Sequence, residues 1–571
     1  VAFSLGACGL FFGFVGVELG LLPEALMQAL PLRIFGIMQN DTLLAIPFFT
    51  FMGIILERSG MAEDLLETVG QVFGPVRGGV AIAVILVGAL LAATTGVVAA
   101  AVISMGLISL PVMLRYGYSR TIATGTITAS GTLAQAIPPS LVLIVLADQL
   151  GRSVGDMYSG ALVPGLLLVG LYIGFVVLVA IFKPKMAPAL PPEAILYKEA
   201  NGASGHKSLG LLALLSTVVG YAWSQYHHTA MVALLDRSLP SPGDETLIMS
   251  LTVASLFALS LSIANRVLKL GLLSKLAEQV TFVLMPPLIL IFLVLGTIFL
   301  GIATPTEGGA MGAFGAMILA IGKGKFSWPL LNQALENTAK LATFVLFILV
   351  GSTVFSFTFN AADGHVWVEH LFTGIPGGAW GFLLVVNILV FILGCFIDFF
   401  EIAFIVIPLL APVAEKILPG IVPGMTPDQV MIWFGVIIAM NLQTSFLTPP
   451  FGFALFYLRS VAPKSDYNDR VTGERIAAVK TTEIYKGSIA FIILQLIMVA
   501  AVIAFPSLVT GGLEQKATLS DDQIMMQLNN QLGTPEPSLD QPAPAPSVDP
   551  EPALDPAKAL EESLQPEKKS Q

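Results

Sequence analysis

Residues 130–139 read SGTLAQAIPP, and about 311 positions later residues 441–450 read NLQTSFLTPP. Each stretch is polar, ends in a proline pair and interrupts an otherwise apolar span. Because proline lacks a backbone N–H and clashes with the preceding turn, such a pair breaks a helix. Inside a bilayer, a broken helix is tolerated only where protein or a water-filled cavity satisfies the freed backbone groups. Matching breaks in the two halves of a membrane chain therefore predict a transport site between them.

The composition is typical of a polytopic membrane protein. Of 571 residues, 55% are hydrophobic and 12% are charged, with a mean hydropathy of +0.84. Soluble domains carry about 25% charged residues, whereas a membrane-spanning helix needs about 20 mostly apolar residues. Many stretches of the chain meet that length. We therefore predict an all-α polytopic membrane protein surrounded by membrane lipid.

The ends of the chain differ from this apolar body. From Glu514 onward there are eleven acidic residues and four lysines, which account for most of the net charge of −10. This balance gives no indication of a nucleic-acid partner. Residues 511–571 are rich in Pro, Asp, Glu and Gln, and a composition of this kind remains disordered. Residues 1–41 predict a helix and linker, and because no basic leader precedes Val1, we expect a truncated N-terminus.

Two pairs of apolar segments adjoin too closely to be ordinary crossings. Segment 79–94 is separated from 97–114 only by Thr95 and Gly96, and segment 380–397 is separated from 399–414 only by Asp398. We predict two re-entrant hairpins, 79–114 and 380–414, each with a polar tip buried in protein. A broken helix follows each hairpin. The predicted broken helices are 120–149 and 431–459.

The order of these parts predicts two inverted repeats. The first repeat is 42–182 and the second is 341–507, separated by a linking region, 183–340, with two inserted helices and amphipathic arms. When the hairpins are counted as returning to one side, the basic clusters fall on a single face, which the positive-inside rule makes cytoplasmic. Seven crossings then lie between the hairpins, and this odd number makes the repeats inverted. The acidic tail falls on the opposite, periplasmic face.

Neutral hard oxygens are concentrated at the predicted tips and breaks. Such oxygens can replace the hydration shell of a small cation, and half-helix N-termini favour a carboxylate. These parts indicate sodium together with an anionic organic solute. The alternative is that the hydroxyls only bond across helices or to their own helix carbonyls. The hydroxyl and amide residues concerned are Thr94, Thr95, Ser130, Thr132, Gln443, Thr444, Ser445 and Thr448.

Two carboxylates lie within the second predicted hairpin. A carboxylate in a spanning segment costs about 2.5–3.5 kcal/mol on insertion scales, so it marks a functional site by default. Asp398 lies at the proposed tip and Glu401 lies one turn further on. The alternative is a structural carboxylate that accepts bonds from loop N–H groups. Of the two residues, we expect Asp398 to be the site member.

Six segments carry a resemblance to a known family. With these segments the chain resembles the large membrane subunit (DctM-like) of tripartite ATP-independent periplasmic (TRAP) transporters, within the ion transporter superfamily of elevator-type carriers. The segments are VAFSLG, GIILERSGMAEDLL, SGTLAQAIPPSLVLIVLAD, GIATPTEGGAMGA, GCFIDFFEIAFIVIPLLAP and NLQTSFLTPPFGFALFYLRSVAP. They extend from residue 1 to about residue 465, and their order and spacing make the match specific.

The resemblance implies a sodium-coupled permease in the bacterial inner membrane that imports an organic acid. Its implied partners are a periplasmic substrate-binding protein and a small four-helix membrane subunit. The implied sodium sites pair each hairpin tip with its broken helix: Thr94, Thr95 and Gly96 with Ser130, Gly131 and Thr132; Ile397 and Asp398 with Gln443, Thr444 and Ser445. The residues expected near the substrate are Pro138, Pro139, Thr448, Pro449 and Pro450.

The chain also departs from the family pattern. Its first tip is Ala93-Thr94-Thr95-Gly96 where many relatives have a Ser/Gly cluster, and its linking region holds the two inserted helices. These features resemble the mannitol/chloroaromatic-type branch, which does not define the substrate. The alternative function is a single-component dicarboxylate:cation symporter of the same superfamily. An intramembrane enzyme would need a catalytic dyad or a metal cluster, and the sequence contains neither motif, so we predict no enzymatic activity.

Overall fold

The computed structural model describes residues 2–195, 197, 204–235, 241–469 and 471–513. Within these ranges the chain is almost entirely helical, with one two-stranded ribbon, which confirms the all-α prediction. Seven of the described helices are long and apolar enough to cross a membrane, or up to nine if each of two bent pairs is one span. The chain is therefore a multi-pass membrane protein. Residues 514–571, most of the predicted acidic tail, lie outside the described residues.

The helices up to the end of the first predicted repeat are α1 Ala2–Glu18, α2 Ala25–Gln28, α3 Leu30–Met38, α4 Ala45–Arg58, α5 Met61–Phe73, α6 Gly79–Thr95, α7 Val98–Arg115, α8 Arg120–Thr132, α9 Leu141–Gln149 and α10 Val154–Phe182. The linking region holds α11 His206–Leu235, α12 Gly243–Leu268, α13 Lys275–Phe299 and α14 Pro305–Gly322.

The remaining helices are α15 Trp328–Ala361, α16 Gly364–Thr373, α17 Gly378–Gly394, α18 Phe399–Glu401, α19 Ile407–Ile417, α20 Pro427–Phe446, α21 Phe453–Val461, α22 Thr481–Ala504 and α23 Ser507–Thr510. A π-helical segment, Ile402–Val406, joins α18 to α19. The strands β1 Tyr467–Asn468 and β2 Arg475–Ile476 pair antiparallel, with Tyr467 opposite Ile476.

The first arms of the two predicted hairpins begin in the same way. Helices α6 and α17 each contain 17 residues. Each follows a glycine in the left-handed region, Gly78 at φ 78° and Gly377 at φ 97°. Because a side chain disfavours that conformation, the Gly-Gly pairs at 78–79 and 377–378 give both arms the same sharp entry. Gly96, at φ 60°, ends the first arm in a left-handed cap.

Both predicted broken helices are interrupted at their polar stretches. Helix α8 ends at Thr132 and, after a short 3₁₀ turn, the chain resumes as α9 at Leu141. Helix α20 ends at Phe446 and α21 begins at Phe453. The bonds between Pro138 and Pro139 and between Pro449 and Pro450 are both cis. Residues 122–132 of α8 and 430–446 of α20 are all buried, so both helices are enclosed where they stop.

The inserted helices pack against each other around a buried ionisable pair. His227 Nε2 on α11 lies 2.7 Å from Glu245 Oε1 on α12, and both side chains are almost completely buried. The starts of α11 and α13 are also joined, because Ser274 Oγ donates to the Gly205 carbonyl at 3.0 Å. The insertion is thus a packed part of the described fold.

An ion pair ties the loop between α21 and α22 to α7. Asp469 accepts two hydrogen bonds from Arg115 Nε and Nη2 (2.9 and 3.0 Å to its two oxygens) and further bonds from the backbone N–H groups of Val471 and Thr472. The Arg115 guanidinium is the main reason that the pKa of Asp469 lies well below the usual aspartate range. Only 4% of the residue is exposed.

We expect Asp469→Ala to destabilise the protein by about 1–3 kcal/mol, because it leaves the largely buried Arg115 guanidinium and the N–H groups of Val471 and Thr472 without their acceptor. Because the pKa is depressed in the fold, this stability is complete above the ordinary aspartate pKa of about 3.9 and is lost as the pH falls below it. Thermal unfolding of the purified protein measures the effect. The matched control is Asp466→Ala in the same loop, whose exposed partner Arg475 predicts a smaller shift. Equal shifts for the two variants would contradict the prediction.

Candidate ion and substrate site

Each predicted hairpin packs on its own broken helix at the same point. Gly88 is the tenth residue of α6, and a methyl group there would lie 2.6 Å from Ser130 Oγ. Asn387 is the tenth residue of α17, and Asn441 Nδ2 donates to its carbonyl at 2.7 Å and to its Oδ1 at 3.0 Å. Ser130 and Asn441 are the first residues of the two polar stretches. The same helix contact is therefore made twice, once by close approach and once by hydrogen bonds.

The first tip meets its broken helix beyond the proline pair. A methyl group at Gly96 would lie 3.3 Å from the Leu141 backbone nitrogen at the start of α9. Ser130 contacts α6 at Gly88, seven residues before Thr95, which is about 10 Å along a helix. Of the three tip residues, Gly96 thus contacts the far end of the break, whereas Thr94 and Thr95 pack against α4, where a methyl group at Gly53 would lie 2.5 Å from Thr95 Cα. Ser130 contacts the hairpin about 10 Å before the tip.

Gly131 lets the same broken helix approach the second arm of the hairpin. A methyl group on it would lie 2.3 Å from Val102 Cγ2. This contact places α8 against both arms, α6 and α7. The residues of the first predicted site are therefore spread along the hairpin, and of these contacts between the hairpin and the broken helix only that of Gly96 involves the tip itself.

The second tip is brought directly to its predicted partner. Gly394 ends α17, and a methyl group there would lie 2.1 Å from Ser445 Oγ. Ile397 and Asp398 follow in the tip, both half-buried, and Asp398 occupies the N-cap position of α18. The carbonyl of Asp398 accepts from the Ile402 N–H at 3.2 Å. The contact between Gly394 and Ser445 thus lies four residues before Asp398, the acidic residue of the tip.

The hydroxyls of both sites donate their protons to carbonyls of their own helices. A hydroxyl that donates in this way still offers oxygen lone pairs to a cation. The hydroxyls therefore make the bonds to their own helices that the structural alternative expects. The same bonds do not prevent the oxygens from serving as ligands. The bonds run from Thr94 and Thr95 to Leu91, from Ser130 to Ile127, from Thr132 to Ala129, from Thr444 to Met440, from Ser445 to Leu442 and from Thr448 to Thr444, all at 2.7–3.0 Å.

A buried polar cluster, which we call the axial cluster, joins the two halves. It consists of Thr132, Tyr172, Gln443 and Gln495. Gln443 Nε2 lies 3.4 Å from both Thr132 Oγ1 and Tyr172 Oη, and Gln495 Nε2 lies 3.3 and 2.7 Å from the same two atoms. Thr132 and Gln443 are equivalent positions of the two polar stretches, 311 residues apart. Two corresponding parts of the chain therefore meet directly at the centre.

The axial cluster has unused hydrogen-bonding capacity. Within the described part of the chain, Gln443 Oε1 and Gln495 Oε1 are buried without a partner, and so are both amide ends of nearby Gln135. A buried unpaired carbonyl oxygen costs free energy unless water or an ion completes it. The unpaired amide oxygens are hard neutral ligands of the kind that sodium accepts, and an ion at the cluster would replace the long Nε2 contacts of 3.4 and 3.3 Å to the Thr132 hydroxyl oxygen. The donor set therefore fits a small cation.

The proline pairs lie in different surroundings. Pro138 and Pro139 are buried, whereas Thr448 and Pro449 are half-buried and Pro450 is exposed. Each break lies against a tyrosine at the fifth position of the next long helix. Tyr158 Oη on α10 is 3.5 Å from the Ser140 carbonyl, and Tyr485 Oη on α22 is 3.4 Å from the Pro450 carbonyl. The second break is thus open to the protein surface and the first is enclosed.

Sequence reasoning did not identify three residues that the structure adds to the site. They are Gln135, Tyr172 and Gln495. A glutamine within an apolar span such as α22 is a usable signal, because intramembrane polar groups are costly. Tyr172 gives no such signal, since tyrosine is common in buried helices. Among the described residues, no group of three or more His, Cys, Asp or Glu side chains could hold a metal ion.

The architecture defines a class of protein. A multi-pass helical protein with paired helix breaks, whose polar stretches meet at the contact between its two halves, has the plan of a secondary membrane transporter. The family described as "Tripartite ATP-independent periplasmic transporter, DctM component" matches residues 1–508. The chain belongs to this family, which confirms the resemblance seen in its sequence.

Three relatives illustrate the match. The C4-dicarboxylate TRAP transporter large permease protein of Pseudomonas aeruginosa is 27% identical over 76% of this chain and 81% of its own length. The 2,3-diketo-L-gulonate TRAP transporter large permease protein of Escherichia coli is 22% identical over 76% and 80%. The isethionate TRAP transporter permease protein DctMQ of Oleidesulfovibrio alaskensis is 24% identical over 75% of this chain and 53% of the relative. All three are named as transporter components, in agreement with the prediction of a carrier without enzymatic activity.

Proposed function

We propose that this chain is the large permease subunit of a sodium-coupled carrier that imports an organic acid anion. Its family is defined as one component of a tripartite system. The relatives described above are named for a C4-dicarboxylate, isethionate and 2,3-diketo-L-gulonate, which are all organic anions. The proposed partners are a periplasmic substrate-binding protein and a small membrane subunit. This chain spans 53% of the DctMQ relative, which leaves room in that protein for a second subunit.

The axial cluster is the observation that supports sodium coupling best. Its unpaired amide oxygens and the hydroxyls turned toward their own helices present oxygen lone pairs inside the protein. A small cation favours such oxygens over bulk water only when they are held in place. The second tip adds a carboxylate, Asp398, four residues beyond Gly394, which packs against Ser445. Two sodium ions, one for each tip and broken helix, would each supply about 2.3 kcal/mol per 100 mV of membrane potential.

The transported anion would lie between the two breaks. Pro138, Pro139, Thr448, Pro449 and Pro450 end the polar stretches on either side of the contact between the halves. The first N–H groups of α9 have no partner within their own helix and follow the first break directly, and helix N-termini favour carboxylates. An elevator movement of the hairpins and broken helices against the other helices would carry this site across the inner membrane, from the acidic face to the basic, cytoplasmic face.

Uptake into proteoliposomes tests the proposal. We expect radiolabelled C4-dicarboxylate, isethionate or another organic acid to enter only when this chain, its small subunit and the cognate binding protein are present with an inward sodium gradient. Replacing sodium by potassium should abolish uptake. Transport by this chain alone would contradict the proposal and favour a single-component symporter. Equal uptake in potassium would exclude sodium coupling.

A further inference from the structure

An apolar cavity lies between the inserted helices and the first hairpin. Its volume is about 500 Å³, and it is bounded by α5, α6, α11, α12 and α13. Of its lining residues only Ser216, Ser255 and Thr281 are polar, and the Thr281 hydroxyl already donates to the Ala277 carbonyl at 2.8 Å. Leu251 in the wall is 38% exposed. In a membrane protein this exposure faces lipid, so the cavity is open sideways to the bilayer.

The chemistry of the lining decides what can fill this space. Water needs two or more polar partners and stays out of apolar cavities. An empty cavity would deprive the lining atoms of dispersion contacts. An apolar chain entering from the bilayer avoids both penalties. We propose that the cavity is a binding site for one acyl chain of an anionic phospholipid.

One end of the cavity carries basic residues suited to a phosphate. At that end His206 Nε2 lies 3.0 Å from the Val72 carbonyl, which joins the start of α11 to α5. Lys207 is exposed two residues from the lining residue Leu209, and Arg77 is exposed four residues from the lining residue Phe73. Basic side chains at a membrane surface attract anionic headgroups by about 1 kcal/mol each. Of these residues, Arg77 also belongs to the basic clusters that predict the cytoplasmic face.

The position of the site gives the lipid a mechanical role. One wall of the cavity is α6, which belongs to the first hairpin and so to the proposed moving part, with α5 beside it. The opposite wall is α11 and α12, which are the insertion. The lipid chain would fill the gap between them and would have to slide or leave when the hairpin moves. The inserted helices thus create a lipid contact that the two repeats alone do not form.

Native mass spectrometry of the purified full chain tests the lipid site independently of transport. Ala213 on α11 and Ala254 on α12 line the cavity, and we expect Ala213→Trp and Ala254→Trp to lose a phospholipid mass that the unaltered protein retains. The matched control is Ala222→Trp, an exposed position nine residues along α11 and on its opposite face. This control should keep the lipid. Thermal unfolding identifies any variant that fails to fold, and the second cavity variant then replaces it.

The headgroup is tested with added phosphatidylglycerol and phosphatidylcholine. We expect the unaltered protein to retain phosphatidylglycerol preferentially, and Arg77→Gln combined with Lys207→Gln to lose that preference. Equal lipid retention by the folded cavity variants and the unaltered protein would overturn the proposal, and so would a detergent mass at the site in place of lipid. A headgroup preference that is unchanged in the double variant would also overturn it. None of these outcomes depends on sodium-coupled uptake.

Discussion

Thr132→Val is expected to reduce sodium-driven uptake sharply and to raise the sodium concentration for half-maximal uptake about tenfold or more. The substitution keeps the shape of the side chain but removes the hydroxyl oxygen. Gln443 Nε2 and Gln495 Nε2 then lose an oxygen at 3.4 and 3.3 Å in a buried place. A sodium ion at the axial cluster would lose this oxygen as a ligand, and a loss of about 1.4 kcal/mol in binding free energy weakens the affinity tenfold.

The control for this variant is Thr128→Val, one turn earlier on α8. Thr128 is equally buried, and its hydroxyl donates only to the carbonyls of Thr124 and Gly125 in its own helix. The same chemical change should therefore leave the sodium dependence close to that of the unaltered protein. If both variants raise the sodium concentration for half-maximal uptake equally, the effect comes from losing any hydroxyl on α8. The axial cluster would then have no special part in sodium binding.

Asp398→Asn is expected to give the second large loss of sodium-dependent uptake. Asn keeps the size of the side chain but removes the negative charge that would balance a cation at the second tip. Asp398 lies four residues beyond Gly394, whose backbone touches Ser445 so closely that a methyl group would overlap it. We expect an ion held between Ser445 and the second tip to be attracted by this carboxylate, because opposite charges attract strongly where water is scarce.

Glu401→Gln is the matched control, because it also neutralises a half-buried carboxylate in the same segment. We expect only a small change in sodium dependence for this variant. The sodium titration is measured on uptake by the complete three-component system. A large shift for Glu401→Gln with none for Asp398→Asn would assign the second site to the wrong carboxylate.

The chemistry of proline made the two helix breaks predictable. The proline pairs predicted the interruptions of 120–149 and 431–459, where the structure ends α8 at Thr132 and α20 at Phe446. The start of α20 was less well predicted, at 431 instead of Pro427. The missed signal is a capping box in which Thr426 and Gln429 bond each other's backbone N–H groups, with proline in the first turn.

The candidate site was harder to predict because it depends on contacts between distant parts of the chain. The polar stretches themselves were identifiable from the sequence, but the direct contact of Thr132 with Gln443 was not. The resemblance implied that Thr94 and Thr95 pair with Ser130 and Thr132, whereas the structure sets Gly96 of the first tip against Leu141. The reason is that the close approach at Gly88 fixes Ser130 about 10 Å before the tip. The position of one helix along another is set by their packing, which the sequence of either helix does not reveal.

Binding of radioactive sodium to the purified full chain tests the central claim most directly, because it needs neither the substrate nor the partner proteins. The account predicts saturable sodium binding that is weakened in Thr132→Val and in Asp398→Asn and is lost when both are combined. The double control, Thr128→Val with Glu401→Gln, should bind sodium like the unaltered protein. Undiminished sodium binding by the folded Thr132→Val, Asp398→Asn double variant would contradict the claim that these helix breaks and tips form the sodium sites.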